Sequence, residues 1–189
     1  MMALSKKMLE QEPGEIVHTF MSVTADTKVE TLVKQLKSSE GLTLVFVRTK
    51  RGADKLVQKL GRHNIPAVAM HGDMSQNARE RALARFESGK VTTLVATDVA
   101  ARGLDLDDIT HVINFDPPGE DKDYVHRTGR TGRAGRDGKA ITFVLPEQQA
   151  ETSHVARRLG HQAQFEEAGL QSARAKLMYT SRRGRRSKW

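Results

Sequence analysis

Apolar runs and amphipathic segments alternate along the chain from residue 16 to residue 165. The runs have no regular polar alternation, which is typical of strands buried on both faces of a sheet. The predicted strands are residues 16–23, 42–47, 66–70, 92–96, 109–115 and 140–145. Between them, apolar residues recur at intervals of three and four, which predicts helices. The buried stripes of the first three helices are Val29, Leu32, Val33 and Leu36, then Ala53, Leu56, Val57 and Leu60, then Ala82, Leu83 and Phe86.

Capping residues and two later segments complete the predicted elements. We expect Thr24 or Asp26 to cap the first helix, and Ser75 to cap the third helix, which ends at Gly89. Residues 121–130 and 147–159 are predicted as two further helices. Strands that alternate with helices require a parallel sheet with right-handed crossovers. The predicted fold class is therefore α/β, a three-layer sandwich with a mainly parallel central sheet.

The loops that follow the strands are the predicted functional region. In open parallel sheets, ligands bind beyond the carboxyl ends of the strands. In this chain the rule selects residues 48–51, 71–73, 97–105 and 116–121. Because the least common sequence patterns fall in these loops, we expect the binding residues at this edge of the sheet.

Charge divides the chain into a nearly neutral body and a basic end. The net charge is +8, but residues 171–189 hold seven basic side chains and no acid, which leaves 24 basic against 23 acidic residues elsewhere. The predicted organisation is a flexible segment at residues 1–15, a folded domain at 16–165 and a basic tail, expected to be disordered, at 166–189. Such a tail either attracts phosphates without sequence preference or acts as a solvated solubility tail.

Composition excludes several classes of protein. The chain has no cysteine, so disulfides and cysteine-bound metals are excluded. No apolar run approaches the roughly 20 residues that span a bilayer, and the start of the chain has no signal-peptide pattern. We therefore expect no membrane partner and a cytoplasmic location, with association to the nucleoid or the ribosome as an alternative.

The strongest local signal is the segment from His126 to Arg136. It places four arginines three residues apart with glycines between them, at Arg127, Arg130, Arg133 and Arg136. Arginine presents a forked pair of N–H donors to a phosphate, and glycine lets a ligand approach the backbone. The segment is suited to a polyphosphate or a nucleic-acid backbone. The alternative, a disordered Arg-Gly segment, is disfavoured because a predicted helix and a predicted strand flank it.

Two further segments contain side chains that suit the same ligands. Thr97 can donate a hydroxyl hydrogen bond, and Asp105 can accept one from a sugar; an ordinary turn with a capping aspartate is the alternative. Gln76 and Arg79 share one face at the start of a predicted helix, where anions are favoured. The alternative there is a solvated helix surface, which spacing alone favours.

Other nucleotide and metal signals are absent from the sequence. There is no Gly-x-x-x-x-Gly-Lys-Ser/Thr motif, and neither Gly-Lys pair has the required neighbours. No Asp-Glu pair ends a strand to hold magnesium. The seven histidines have irregular spacing without a carboxylate pattern, so no metal site is predicted.

Taken in order, the motifs resemble the C-terminal RecA-like domain of DEAD-box ATP-dependent RNA helicases over residues 16–165. Residues 45–54 (VFVRTKRGAD) resemble helicase motif IV and its helix, and residues 71–76 (HGDMSQ) with Arg79 resemble the neighbouring Q-x-x-R element. Residues 96–105 (ATDVAARGLD) resemble motif V, and residues 126–133 (HRTGRTGR) resemble motif VI. Residues 116–122 depart from the family in a longer, more acidic link into motif VI.

The resemblance implies roles for matching residues. Arg130 and Arg133 would act as arginine fingers on the γ-phosphate of ATP, and Asp105 with Gly103 would approach the ribose. His126 would link the attacking-water region to the partner domain, and is counted with Arg130 and Arg133 as catalytic. The implied RNA-backbone contacts are Thr49, Lys50, Arg79 and Thr97. Arg102 would support the interface between the two domains, and Phe46 would pack beneath the motif VI arginines at that interface.

The resemblance implies half of a two-domain, RNA-dependent ATPase that unwinds duplexes. ATP and single-stranded or duplex RNA would bridge this domain and an N-terminal RecA-like helicase domain, which would also supply the ligands of Mg²⁺. The chain alone is expected not to hydrolyse ATP and to bind RNA weakly, with the tail contributing salt dependence. The alternatives are a stand-alone RNA-binding or regulatory module and a DNA translocase domain.

Overall fold

Six parallel strands form the centre of the molecule in the computed structural model, which describes residues 14–173. The strands are β1 (Ile16–Ser22), β2 (Leu42–Phe46), β3 (Val68–Met70), β4 (Thr93–Ala96), β5 (Ile109–Asn114) and β6 (Gly138–Val144). Their order across the sheet is β1-β6-β5-β2-β4-β3, and every pairing is parallel. The predicted α/β fold class is confirmed.

Helices connect the strands. They are α1 (Lys28–Ser38), α2 (Lys50–Arg62), α3 (Gln76–Glu87), α4 (Asp98–Ala101), α5 (Asp121–Thr128), α6 (Gln149–Arg158) and α7 (Gln162–Glu167), with a 3₁₀ turn at Pro146–Gln148. The first and second helices pack on one face of the sheet, around Val45, Val95 and Ile113. The third and fourth pack on the opposite face, around Leu44 and Leu94. The sheet is therefore the middle of three layers.

One row of paired residues shows which face the last helices cover. Phe46 pairs with Asn114, Asn114 with Thr142, and Thr142 with Phe20. Because directly paired residues point to the same face, Phe20 shares the face of Phe46. Phe20 packs with Tyr124 of α5, and with α6 and α7 through Val155 and Phe165. Helices α3 to α7 thus share one layer, and α1 and α2 form the other.

Short polar residues occupy the N-cap positions of two helices. The Ser75 hydroxyl accepts a hydrogen bond from the Ala78 N–H at 3.2 Å, so the predicted cap of α3 is confirmed. The first helix differs from the prediction, because its N-cap is Thr27 rather than Thr24 or Asp26. The Thr24 N–H donates to the Thr27 hydroxyl at 2.9 Å, which closes a turn before the helix begins.

Several boundaries differ from the pattern in the sequence. Helices α4 and α7 were not predicted, since four and six residues are too short for a periodic stripe. The predicted helix 121–130 ends at Thr128 with Gly129 as its C-cap, and Gly132 and Ala134 take positive φ values of 69° and 54° in the turns that follow. The last strand begins at Gly138 rather than at residue 140, because Gly138 already pairs with Ile16.

Packing extends slightly beyond the predicted domain bounds at both ends. Leu170 is 4% exposed and packs with Phe165, although residue 165 was the expected boundary. At the other end, the Gly14 N–H donates to the Gly132 carbonyl at 2.8 Å. The rest of the predicted flexible segment and most of the basic tail lie outside the described residues. Within residues 14–173, no helix is long and apolar enough to cross a membrane.

Candidate functional site

The predicted RNA contacts Thr49 and Lys50 lie where β2 passes into α2. The Thr49 hydroxyl caps the helix by accepting a hydrogen bond from the Gly52 N–H at 3.0 Å. The Lys50 ammonium donates to Asp73 at 2.8 Å, and both side chains are largely exposed. This hydrogen bond, together with the charge of Lys50, lowers the pKa of Asp73. Lys50 is thus held at the surface by a carboxylate that a phosphate could replace.

A buried histidine that the sequence did not single out for a role orders the same loop. His71 follows β3, and its Nδ1 accepts a hydrogen bond from the backbone N–H of Asp73 at 3.2 Å. A backbone N–H only donates, so Nε2 carries the proton of the neutral ring and donates to Asp54 at 2.9 Å. His71 therefore joins α2 to the loop that carries Asp73.

Arg79 and Thr97 lie on the neighbouring connections. Arg79 is in the first turn of α3, and its half-buried side chain forms no ion pair within the part of the chain that the structure describes. Thr97 follows β4 and is 7% exposed. Because β2, β4 and β3 are adjacent, the elements that carry Thr49, Lys50, Thr97 and Arg79 begin at one edge of the sheet.

Arg127 connects the segment that resembles motif VI to the one that resembles motif V, although we predicted no individual role for it from the sequence. Its side chain, 4% exposed, makes two parallel hydrogen bonds to Asp98, at 2.6 and 2.7 Å. It also donates to the Asp116 carbonyl at 2.6 Å and to the Asn114 side chain at 3.3 Å. The sequence places Arg127 directly after His126, which indicates that it belongs to the same motif. The sequence alone does not identify the side chain with which Arg127 pairs.

Phe46 lies beneath Arg127. The guanidinium carbon is 5.1 Å from the centroid of the Phe46 ring, which is a favourable cation–π arrangement. Phe46 is 2% exposed and so presents almost no surface of its own. Phe46 could therefore contribute to a domain interface only by holding Arg127 in position. The interface role predicted for Phe46 stays a prediction.

Arg130 and Arg133 lie together at the far end of α5. Arg130 donates to the Leu104 carbonyl at 2.7 Å, and Arg133 donates to Asp105 at 3.1 Å. Burial and then the positive charge of Arg133 lower the pKa of Arg130, while Asp105 acts in the opposite direction. Asp105 is 87% exposed, so it neutralises the pair incompletely. This cluster suits an anionic ligand.

The arginine cluster does not lie at the edge that the sequence predicted for ligands. The Thr131 hydroxyl donates to the carbonyl of Ile109, the first residue of β5, at 2.6 Å. The next residue, Gly132, contacts Gly14 just before β1. Because α5 runs back across the sheet, it places Arg130 and Arg133 near the amino ends of the strands. The predicted RNA contacts Thr49, Lys50, Arg79 and Thr97 thus lie at the carboxyl edge, whereas Arg130 and Arg133 do not.

The other predicted residues lie between these two groups. His126 is exposed on α5, and it lines a small cleft with Arg102 of the α4 C-cap and with Arg130. Gly103 has a φ of 82°, and a Cβ atom there would meet nothing within 4 Å. The conformation requires glycine at this position, whereas close packing does not. Among the described residues, no group of three acidic or histidine side chains could hold a metal ion.

Comparison with known proteins agrees with this arrangement. The model of the helicase conserved C-terminal domain matches residues 27–135. A DEAD box protein from the hyperthermophile Methanococcus jannaschii is 35% identical, with a TM-score of 0.71 over 84% of this chain and 41% of that chain. The E. coli DEAD-box protein SrmB, bound to regulator of ribonuclease activity A, is 34% identical, with a TM-score of 0.65 over 87% of this chain and 92% of that chain.

A third similar structure is S. cerevisiae Dbp5 bound to RNA and ADP BeF3. It is 28% identical, with a TM-score of 0.67 over 86% of this chain and 41% of that chain. The chain thus spans about two fifths of the M. jannaschii and Dbp5 chains. The matched residues include motif V and the arginines of motif VI. The chain belongs to the helicase conserved C-terminal domain family, and its fold is that of the C-terminal RecA-like domain of DEAD-box helicases.

Proposed function

We infer that this chain is the C-terminal half of an RNA-dependent ATPase that separates RNA strands. The observation that carries the proposal is the pair Arg130 and Arg133, whose positive charges lie beside each other and are incompletely neutralised by exposed carboxylates. In phosphoryl transfer, guanidinium groups stabilise the charge on the transferred phosphate. A γ-phosphate held by a second domain would supply the anion that this pair needs.

Nucleotide binding would require one contact to open. Arg133 and Asp105 bind each other at 3.1 Å, yet the proposal assigns Arg133 to the phosphate and Asp105 to the ribose. Both side chains are accessible, so the exchange would cost little, because exposed ion pairs contribute at most about 1 kcal/mol. Formation of the complete nucleotide site would therefore coincide with the loss of this ion pair.

RNA would lie along the carboxyl edge formed by β2, β4 and β3. Thr49, Lys50, Arg79 and Thr97 offer hydroxyl and cationic donors, which suit phosphate and sugar oxygens. Contacts to the backbone give affinity without sequence choice. The similarity to Dbp5, whose structure was determined with RNA and ADP BeF3, supports the assignment of both ligands to this fold.

We propose that the described part of this chain does not supply the ligands of Mg²⁺. No group of three potential ligands occurs there. The N-terminal RecA-like domain is proposed to hold the metal, the adenine and the P-loop contacts. Closure of the two domains around ATP and RNA would bring Arg130 and Arg133 to the γ-phosphate, and the chain alone would therefore be inactive.

The test combines this chain with the N-terminal RecA-like half of a DEAD-box helicase and measures RNA-stimulated ATP turnover. We expect turnover only from the combination, and a loss of about 10³-fold or more with Arg130→Ala or Arg133→Ala. Arg136→Ala is the matched control, because Arg136 belongs to the same run but pairs with Asp108 at the surface. Turnover by the chain alone at an ordinary helicase rate, or full activity of Arg130→Ala, would refute the proposal.

A further inference from the structure

The solvent face of α2 carries a continuous row of positive charge. Its members are spaced four, four and three residues apart, so they lie on one side of the helix. They are Arg51, Lys55, Lys59 and Arg62, which are all exposed. None of the four forms an ion pair within residues 14–173. We call these four residues the basic stripe.

The charges in the first turns of α2 oppose the stability of the helix, whereas Lys59 and Arg62 in the last turn complement its dipole. Like charges four residues apart repel each other, and cations in the first turn oppose the helix dipole. The first turn of α2 holds Lys50 and Arg51 and no acid. The single acidic residue of the helix, Asp54, is hydrogen-bonded to His71. The repulsion is therefore not relieved within the helix.

Helix α3 offers a contrast on the opposite face of the sheet. It carries three arginines, but Glu80 and Glu87 lie among them. Its exposed arginines Arg81 and Arg85 have the same four-residue spacing as Lys55 and Lys59. Helix α2 thus has a larger excess of positive charge than α3, although both helices begin at the carboxyl edge of the sheet.

The position of the basic stripe indicates what would neutralise it. The stripe begins at Arg51, next to Thr49 and Lys50 at the carboxyl edge, and follows α2 towards the opposite edge. From Arg51 to Arg62 the helix rises about 16 Å, at about 1.5 Å per residue. A nucleic-acid strand advances about 3.4 Å per nucleotide, so this length corresponds to about five nucleotides.

We propose that the basic stripe is a second contact surface for the phosphate backbone of RNA. It rests on the proposed function and extends it: a strand held at the carboxyl edge by Thr49 and Lys50 continues along α2. Lysine contacts phosphates as a point charge and arginine through its forked donors; because contacts to the backbone carry no sequence information, this surface has no base preference. RNA that covers only the carboxyl edge does not reach the stripe, and longer RNA does.

The test measures binding of single-stranded RNAs of increasing length to the whole chain at several salt concentrations. Lys55→Gln/Lys59→Gln neutralises the middle of the stripe, and Arg81→Gln/Arg85→Gln is the control with the same spacing and charge change. The slope of the logarithm of the binding constant against the logarithm of the salt concentration changes by about 0.7 for each phosphate contact to a single strand. For long RNA, the first variant removes two such contacts and should therefore reduce the magnitude of this slope by about 1.4. The shortest RNAs that still bind should show no change, and the control should behave as the unaltered chain does.

Three results would overturn the proposal. The first is an unchanged salt dependence of binding in Lys55→Gln/Lys59→Gln. The second is an equal change in the control variant, and the third is a loss of affinity that is the same at every RNA length. Anionic phosphatidylserine vesicles provide a further arm, because a stripe that served a membrane surface would affect vesicle binding and leave RNA binding unchanged. Thermal unfolding checks the fold, and the melting temperature should change little, because Lys55→Gln/Lys59→Gln relieves repulsion but removes one cation from the last turn of the helix.

A separate variant distinguishes this inference from the proposed carboxyl-edge site. Lys50→Gln/Arg79→Gln removes two cations of that edge and leaves the stripe intact. If it has no effect on RNA of any length while Lys55→Gln/Lys59→Gln weakens binding of long RNA, the carboxyl-edge assignment is wrong and the stripe remains a phosphate-binding surface. If only Lys50→Gln/Arg79→Gln weakens binding, the stripe is wrong and the proposed function stands.

Discussion

Arg127 and Asp98 form a two-bond ion pair that joins α5 to α4, in which the arginine is buried and the aspartate is partly exposed. The two N–O distances are 2.6 and 2.7 Å, and Arg127 is 4% exposed. Arg158 and Asp121 have nearly the same geometry, at 2.7 and 2.8 Å, but lie at the surface. The two aspartates are similarly exposed, so the comparison separates the effect of burying the arginine from the effect of geometry.

Arg127→Ala should lower the free energy of unfolding by about 2–3 kcal/mol, because it leaves the buried side-chain oxygen of Asn114 and the Asp116 carbonyl without this donor and removes the ion pair of the partly exposed Asp98. Arg158→Ala should change it much less, since water replaces the lost contacts. Urea denaturation of both variants measures the difference. Equal losses would contradict the structural role of Arg127.

Gly138→Ala should destabilise the protein and displace the turn that carries Arg130 and Arg133. A Cβ atom at Gly138 would lie 2.6 Å from the Thr131 methyl group and 2.8 Å from the Gly132 nitrogen. Thr131 is 2% exposed and has no room to move, so the expected cost is about 1–3 kcal/mol. Thermal unfolding measures this change.

Gly61→Ala is the matched control for that substitution. Gly61 lies in α2, and a Cβ atom there would meet nothing within 4 Å. Alanine should therefore stabilise the helix by about 0.5–1 kcal/mol. No loss of stability with Gly138→Ala would show that the packing described around Thr131 is wrong, and a loss with Gly61→Ala would contradict the open space at Gly61.

His18 should make stability depend on pH. Burial, and then the charge of the stacked His161 ring at 3.9 Å, lowers the pKa of His18 to about 4. An unfolded histidine takes up a proton near pH 6.5, whereas the folded His18 stays neutral down to about pH 4. Its contribution is therefore complete above pH 6.5 and is lost as the pH falls from 6.5 to 4.

A fully buried group with this shift would lose about 3 kcal/mol, and the partial exposure of His18 reduces the expected loss to about 1–2 kcal/mol. Urea denaturation at pH 7.5 and pH 5 measures it. His18→Gln should reduce the slope of the profile over this range and leave the part due to His111 and His161, whose pKa values burial also lowers, whereas His63→Gln, at an exposed position, should leave the slope unchanged. A His18→Gln profile as steep as that of the unaltered chain would exclude His18 as the source.

Asp73→Asn should strengthen RNA binding by a few-fold. The hydrogen bond and charge of Lys50 lower the pKa of Asp73, so this carboxylate is ionised at neutral pH and competes with phosphate for Lys50. Glu40→Gln removes the same charge from an exposed position before β2, at the opposite edge of the sheet, and is the control. Fluorescence anisotropy with single-stranded RNA distinguishes the two. Equal effects of both variants would indicate net charge alone.

The apolar pattern was sufficient to predict the six strands and most helices, because the hydrophobic period of an element is a local property of the sequence. Continuous apolar runs predicted all six strands, and Ser75 predicted the start of α3 correctly. The ordered motifs predicted the family. Helices α4 and α7 were missed, because helices of four and six residues show too little periodicity.

The candidate site depends on contacts between distant residues, which the apolar pattern of the sequence does not predict. Arg127 meets Asp98 across 29 residues of chain, and Lys50 meets Asp73 across 23. Nothing in local periodicity selects these partners. For the same reason the sequence placed all binding residues at the carboxyl edge, whereas the course of α5 places Arg130 and Arg133 at the other end of the strands.

The sequence by itself determined the fold class, the strands and the chemical character of the binding residues, because hydrophobic period and side-chain type are local properties. The tertiary structure decided the strand order, the buried network around Arg127 and the separation of the arginine cluster from the RNA-type residues. These depend on which distant segments pack together, and that is settled by the free energy of the whole folded chain and not by any one segment.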